Sequence, residues 1–290
     1  MTLKITAIKT LGVHARMRNW VFVKVETNQP GLYGWGEATL EWKTKGVMGA
    51  VEDLAVLLIG QDPLRIEHLW QVMHRQYFWR GGIVNSTALS GIDQALWDIK
   101  GKEAGKPICE LLGGPVRDTL RFYDHLAGGK LEGIYQTTEP EQFAELIQET
   151  LDYGFTAVKS MPIPVFEMVE SPPALKKAAR CVEARRIAAL AETYQIAVAC
   201  HNPAGPISTA ASLHVGFATP NYLIQEAVRN DVPWRNDIVD HPVRIERGVG
   251  FPPTAPGLGI DINEKEAAKH PIEPEITMAV FHKDGSVADW

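Results

Sequence analysis

Between residues 120 and 226 strand patterns and helix patterns alternate, and this alternation limits the fold more than any other feature of the chain. Leu120–His125 reads as a strand, Glu139–Tyr153 as an amphipathic helix closed by Gly154, and Phe155–Ser160 as a second strand. Pro172 and Pro173 open a long helix reaching about Tyr194; Ile196–Cys200 is a strand, Ile207–Gly216 a helix and Tyr222–Glu226 a strand. Strand–helix–strand units of this kind build a parallel α/β fold. The chain ahead of them is organised differently. Residues 3–11 and 20–27 alternate and are rich in Val, Ile and Phe, and Gly31 and Gly34 punctuate a turn, as in an antiparallel meander. Three helical patterns follow. Residues 46–59 carry the stripe Val47, Val51, Leu54, Ala55, Leu58; residues 63–77 open on Asp62-Pro63; residues 84–104 carry the longest stripe, Ala88, Ile92, Ala95, Leu96, Ile99, ending near Gly105. After residue 226 Pro, Gly and charged residues dominate, as expected of irregular chain wrapping an existing surface.

Composition excludes several classes. A net charge of −6 argues against a nucleic-acid binder, and Trp20, Trp35, Trp70 and Trp97 sit at core-like spacing rather than on a stacking platform. No apolar run of about 18 residues is present, so no membrane span is expected. The first residues alternate like a strand and lack the apolar core of a signal peptide. Cys109, Cys181 and Cys200 fit no CxxC pattern, which points to a reducing compartment, the cytoplasm. No P-loop occurs, and Gly248-Val249-Gly250 is not followed by a helix.

Two long motifs carry a resemblance. The first is Ser90-Gly91-Ile92-Asp93-Gln94-Ala95-Leu96-Trp97-Asp98-Ile99-Lys100-Gly101-Lys102; the second is His201-Asn202-Pro203-Ala204-Gly205-Pro206, followed by Gln225-Glu226. Leu111-Leu112-Gly113-Gly114-Pro115, Tyr123-Asp124-His125 and Pro256-Gly257-Leu258-Gly259-Ile260 add to it. Together they resemble the enolase superfamily, in its mandelate racemase and galactonate/mannonate (acid-sugar) dehydratase branch. The resemblance implies an α/β protein with an α+β cap: an N-terminal capping domain over residues 1–115, a (β/α) barrel over 116–235 and a C-terminal segment, 236–290, wrapping both.

That barrel must be truncated and incomplete. A full barrel takes roughly 250 residues. About 120 residues separate the cap exit from the tail, enough for about four strand–helix units at roughly 30 residues each. In the helix after Pro173 the stripe Leu175, Ala178, Ala179, Val182 meets Arg185 and Arg186, then resumes one residue out of step at Ile187, Leu190, Ala191 and Tyr194. Two readings fit: an in-frame junction near Ala184-Arg185, or an ordinary helix exposing both arginines. The shortness of the α/β region favours the junction.

The chemistry that the resemblance implies begins with proton abstraction beside a carboxylate, the enediolate being stabilised by Mg²⁺. Family members take their metal ligands from acids ending the third to fifth barrel strands. No Asp-x-His after a strand, no Glu-Glu-Pro and no Gly-Glu-Arg occurs here, so no metal ligand is assigned. Asp124, Glu167 and Glu170 read as surface charges. His201, ending a strand where catalytic side chains of barrels sit, resembles the histidine that protonates the departing hydroxyl; a loop histidine without a role is the alternative. Glu226 resembles the glutamate ending strand eight, with a solvated strand-end charge as the alternative; His201 and Glu226 form the expected catalytic pair. Lys159 resembles the first lysine of a Lys-x-Lys pair whose second position is Met161; His125 closes strand one. Both are candidates for substrate binding or for structural roles. From the cap, Arg16, Asn19, Trp42 and Lys45 are candidates for gripping a polyhydroxy acid.

The implied activity is dehydration of a small-molecule sugar acid to a 2-keto-3-deoxy acid by a homo-oligomer. Two alternatives stand beside it: an inactive remnant with a structural or oligomer-forming role, and a racemase or cycloisomerase of the same superfamily.

Overall fold

The computed structural model describes residues 2–130, 133, 137, 139–160, 191–275 and 286. The amino-terminal part is a three-stranded antiparallel sheet in the order β1 (Ile5–Ala15), β2 (Arg18–Thr27), β3 (Tyr33–Glu37). The β1–β2 hairpin runs beyond the alternating stretches that suggested it, pairing continuously to Ala15↔Arg18 across a tight turn in which Arg16 adopts a positive φ of 59°. Three helices cover one face: α1 (Thr44–Leu58), α2 (Ile66–Arg75) and α3 (Ile83–Ala104). Helix α2 starts later than its sequence pattern, because the Asp62 side chain accepts the Leu64 N–H at 2.9 Å and holds the chain in a turn. Val21, Val23 and Val25 pack there on Val51, Leu54, Leu69, Ile92 and Leu96.

Strand β3 lies directly on α3. Its alternate residues Gly34 and Gly36 face that helix, and a Cβ on Gly36 would stand 1.9 Å from the Gly91 carbonyl oxygen. The motif on α3 then does two things. Gln94 accepts the Glu37 N–H at 3.1 Å and donates to the Glu37 carbonyl at 3.2 Å, acting as an extra strand residue. Asp98, fully buried, accepts from Trp35 N–H at 2.9 Å, from Leu258 N–H at 2.8 Å and from Lys102 Nζ at 2.8 Å. Sheet, helix and the distant tail therefore meet on one carboxylate.

Beyond the short exit helix α4 (Ile108–Leu111) the strands become parallel. Strand β4 (Leu120–His125) pairs with β5 (Val158–Lys159) on one side and with β6 (Gln225–Ala227) on the other. Val198 forms a parallel bridge to Tyr222, just ahead of β6. The result is an arc of barrel wall in the order second, first, last and penultimate strand. The expected strands at 155–160 and 196–200 shrink to two residues and one bridge, because a strand exists only where a neighbour pairs with it, whatever its apolar content. Helices α5 (Pro140–Asp152) and α6 (Pro206–Ala218) run close to expectation. The junction proposed near Ala184-Arg185 lies outside the described residues.

The described part of the tail packs on both the cap and the strand arc. It contributes β7 (Ile245–Glu246), β8 (Val249–Gly250), which pairs antiparallel with the start of β4, and α7 (Glu264–Ala267). A second core joins Val13, Trp20 and Trp35 of the cap to Ile207, Val232, Ile238, Leu258, Ile260 and Ile262. The structure is thus an α+β cap on a truncated, incomplete (β/α) barrel. No helix among the described residues is long and apolar enough to cross a membrane.

Candidate functional site

Parallel strands of an α/β wall present their carboxyl ends to one side, and functional side chains collect there. In β4 the alternation of side chains sends Tyr123 and His125 to one face and Phe122 and Asp124 to the other. Tyr123 registers opposite Glu226 of β6, and His125 opposite Lys159 of β5. Glu226, completely buried, becomes the focus of the cluster. Its Oε1 accepts from His125 Nε2 at 2.5 Å and from Lys159 Nζ at 2.8 Å. Its Oε2 accepts from the backbone N–H of Asn202, and the Tyr123 hydroxyl donates to the carboxylate as well. Burial pushes the Glu226 carboxyl upward, but the His125 hydrogen bond, the charge of His201 and the Lys159 ammonium outweigh it and hold the group well below the usual carboxylate range. The Tyr123 hydroxyl is pushed up, first by burial and then by the Glu226 charge.

The chain that follows the Val198 bridge is tied to the cap. Asn202, buried, donates through Nδ2 to Thr209 Oγ1 at 3.0 Å and accepts from Ser208 Oγ at 2.7 Å, holding the turn that carries exposed His201 beside Glu226. Glu37, at the end of β3, accepts from the N–H groups of Gly205 at 2.6 Å and Ser208 at 2.8 Å. A carboxylate at the amino end of α6 satisfies donors that the helix cannot use itself. Burial raises the Glu37 carboxyl, against these hydrogen bonds. Arg18 bridges the same two parts, donating to the Pro203 carbonyl at 2.7 Å and pairing with Glu41 at 2.8 Å.

His125, Lys159, His201 and Glu226, picked from the sequence, thus come together in space. The cap candidates do not join them as a set. Asn19 instead staples the tail to the hairpin. It is 2 % exposed and exchanges hydrogen bonds with the Glu273 backbone (Nδ2 to the carbonyl, 2.8 Å; Oδ1 from the N–H, 3.1 Å). Arg16 sits in the hairpin turn, Trp42 is partly exposed with a positive φ of 58°, and Lys45 is exposed on the first turn of α1. Asp124 is no surface charge. It is fully buried and pairs with Arg229 at 2.6 Å, under the Tyr153 ring, which stacks 4.1 Å from the guanidinium. The alternation of β4 required this, since Asp124 faces the helix layer, where a lone charge would not be stable. Glu167 and Glu170 lie outside the described residues.

Tyr123, Asn202, Arg18 and Glu37 were not singled out from sequence. Tyr123 could have been found as the residue two before His125 on the same strand face, and Asn202 as part of the motif with His201. Arg18 and Glu37 act through contacts more than 160 residues away, for which a single sequence has no signal. The cap also holds a cavity of about 520 Å³ lined by Met73, Tyr77, Phe78, Trp79, Arg80 and Asn85. Asp53 and His74 line it as well, but no buried carboxylate gathers its titratable groups as Glu226 does at the strand ends, which remain the better candidate site.

These strand ends do not suit a magnesium ion. Hard cations need several carboxylate oxygens around one point. Glu226 is held by donors on both oxygens, Asp124 by Arg229, Glu37 by α6 and Glu41 by Arg18. Among the described residues no group of three or more His, Cys, Asp or Glu is disposed to hold a metal.

Comparison with known proteins agrees with this architecture. Residues 5–113 match the N-terminal domain of the mandelate racemase / muconate lactonizing enzyme family, and residues 173–266 match the enolase C-terminal domain-like family. A D-galactonate dehydratase of Ralstonia pickettii is 32 % identical over 387 aligned positions, covering 99 % of this chain and 100 % of the relative. The chain belongs to the enolase superfamily, in its acid-sugar dehydratase branch. A second superfamily relative, the D-galactonate dehydratase of Verminephrobacter eiseniae, is 31 % identical over 386 positions with the same coverage. Since the chain has 290 residues, roughly a hundred positions of such an alignment face no residue here, as a truncated barrel requires. Among solved superfamily structures, an enolase from Pantoea ananatis with bound D-gluconate and Mg superposes with a TM-score of 0.77 at 25 % identity, over 94 % of this chain and 95 % of that one. A mandelate racemase/muconate lactonizing enzyme from Sulfitobacter, 21 % identical over 100 % of this chain and 99 % of the other, shares the fold with a TM-score of 0.83.

Proposed function

We propose that this chain binds a sugar acid of the aldonic class at the strand-end cluster, as a dehydratase-branch protein that keeps one half of the family site and does not turn its ligand over. The observation behind this reading is the convergence of His125, Lys159, His201 and the Asn202 N–H on buried Glu226. Lys159 supplies charge for a carboxylate, and Glu226, itself bonded to His125, holds Lys159 in place. His201, exposed beside them, is placed to give a proton to a departing hydroxyl. Loss of water also needs a cation to stabilise the enediolate, and among the described residues no group of acids or histidines is disposed to hold one. The D-galactonate dehydratases among its relatives and the D-gluconate held by a structural neighbour suggest the ligand class.

Calorimetric titration with D-galactonate and D-gluconate, paired with detection of 2-keto-3-deoxy acid, tests the reading. Binding without product is expected. Product accumulation with Mg²⁺ would establish a working hydro-lyase instead, and an absence of binding to any aldonic acid would sink the proposal. Self-association belongs to the same reading, since Tyr194, Ile196 and Leu223 are exposed beside one flank of the strand arc; sedimentation as a monomer would remove that part.

A further inference from the structure

Among the described residues, the acids Asp124, Glu37, Glu41 and Glu226 near the strand ends are engaged by donors of the protein. Asp124 faces away from the cluster and is held by Arg229 through both oxygens. Glu37 closes the amino end of α6, and Glu41 pairs with Arg18. Glu226 faces the cluster, and its two oxygens accept from His125, Lys159 and the Asn202 N–H. Among the described residues no oxygen pair is left facing the mouth for a hard cation to bridge.

The donors are placed the other way round. Lys159 carries three N–H bonds, and among the described residues its hydrogen-bonding partner is Glu226 Oε1, at 2.8 Å. The side chain is 39 % exposed, while Glu226 beneath it is sealed from solvent. Two N–H bonds of an immobilised ammonium therefore point away from the buried carboxylate. The single charge of Glu226 balances that of Lys159, so the pair leaves no net negative charge to draw a second cation. A divalent cation brought here would stand close to the ammonium and be repelled. A carboxylate would be attracted.

We propose that this site takes the carboxylate of its sugar acid directly on Lys159, steadied by Glu226 and His125, with no divalent cation between protein and ligand. The inference rests on the sugar-acid reading above and departs from the Mg-containing arrangement of the Pantoea ananatis relative. Glu226 serves as an internal counter-anion that holds the ammonium in place, and Lys159 is the group that touches the ligand.

Titrating the full chain with D-gluconate, once in EDTA and once in excess Mg²⁺, tests it. Dissociation constants agreeing within about twofold are expected, with Lys159→Met weakening binding by about tenfold or more and Lys159→Arg restoring most of it. Thermal melts of both variants separate loss of binding from loss of fold. Binding that tightens by about tenfold or more with Mg²⁺ overturns the cation-free site and leaves the sugar-acid reading standing. No binding in either buffer overturns both. Tight binding of Mn²⁺ to the protein alone, read by electron paramagnetic resonance, also overturns the cation-free site.

Discussion

The cap and the described strand arc are held together by different means. Cap strands run 11, 10 and 5 residues and share continuous ladders, with Val21, Val23, Ile92 and Leu96 closing a core beneath them. Arc strands run 6, 2 and 3 residues, and Val198 adds a single bridge. Little ladder is left in the arc, and ionic side-chain contacts take over. Glu226 joins β4, β5, β6 and the Asn202 turn, and Asp124–Arg229 joins β4 to the chain after β6. Backbone hydrogen bonds pin the adjoining loop: the Arg229 and Asn230 N–H groups donate to the Gly128 carbonyl at 2.8 and 2.7 Å, in a turn where Gly128 has a positive φ of 65°. In the cap, packing and function are separable. In the arc, the groups that would hold a ligand also hold the wall.

The largest expected effect lies in the cap. Asp98→Ala leaves the buried N–H groups of Trp35 and Leu258 without an acceptor, while Lys102 keeps Asp261 at 2.7 Å. The expected loss is about 4 kcal/mol, read by denaturant unfolding. A loss below about 1 kcal/mol would show that packing alone carries the cap.

A pH effect should come next, at the seam between the two regions. His214, buried on α6, accepts the Cys109 N–H on Nδ1 at 3.0 Å and donates through Nε2 to the Leu258 carbonyl at 3.2 Å. Burial lowers its pKa to about 4. The unfolded chain takes up this proton near pH 6.5 and the folded chain only near 4, so the contribution is complete above about 6.5 and drains as pH falls to about 4. Relative to His214→Gln, which cannot be protonated, the natural protein should lose about 3 kcal/mol across that window. Parallel pH–stability curves for the two proteins would contradict it.

In the arc, Glu226→Gln keeps the shape but removes the charge that gathers His125 and Lys159. The expected loss of stability is about 2 kcal/mol, large for a strand of three residues. An unchanged melting temperature would mean that the arc does not depend on its site residues. The smallest effect is expected at α5, where Glu139 and Gln142 form a capping box. Glu139→Ala should cost about 1 kcal/mol and leave ligand binding untouched.

Much of the cap was legible in the sequence because its signals are local. The stripe from Ala88 to Ile99 fits α3 closely, since every buried position lies within a turn or two of the next. The strand-end residues were legible for another reason: His125, Lys159, His201 and Glu226 each end an apolar run, and parallel strands bring such ends together. What escaped depends on chain that returns from far away. Asn19 looks like a ligand-gripping amide until residue 273 arrives to occupy it. Asp124 looks like a surface charge until Arg229 covers it, and Glu37 gains its meaning only from a helix that starts at Pro206. The short strands were overestimated because apolar runs record what could pair, not what has a neighbour.

The meeting of Trp35, Lys102 and Leu258 on Asp98 sets an order of events during synthesis. The ribosome finishes the sheet and α3 early, yet the buried carboxylate between them lacks one donor until the chain has grown by 160 residues. The core around Trp20 and Trp35 likewise stays open until Ile238 and Ile260 emerge. The nascent cap must therefore wait, partly formed and with apolar surface in water, for the last part of the message to be read.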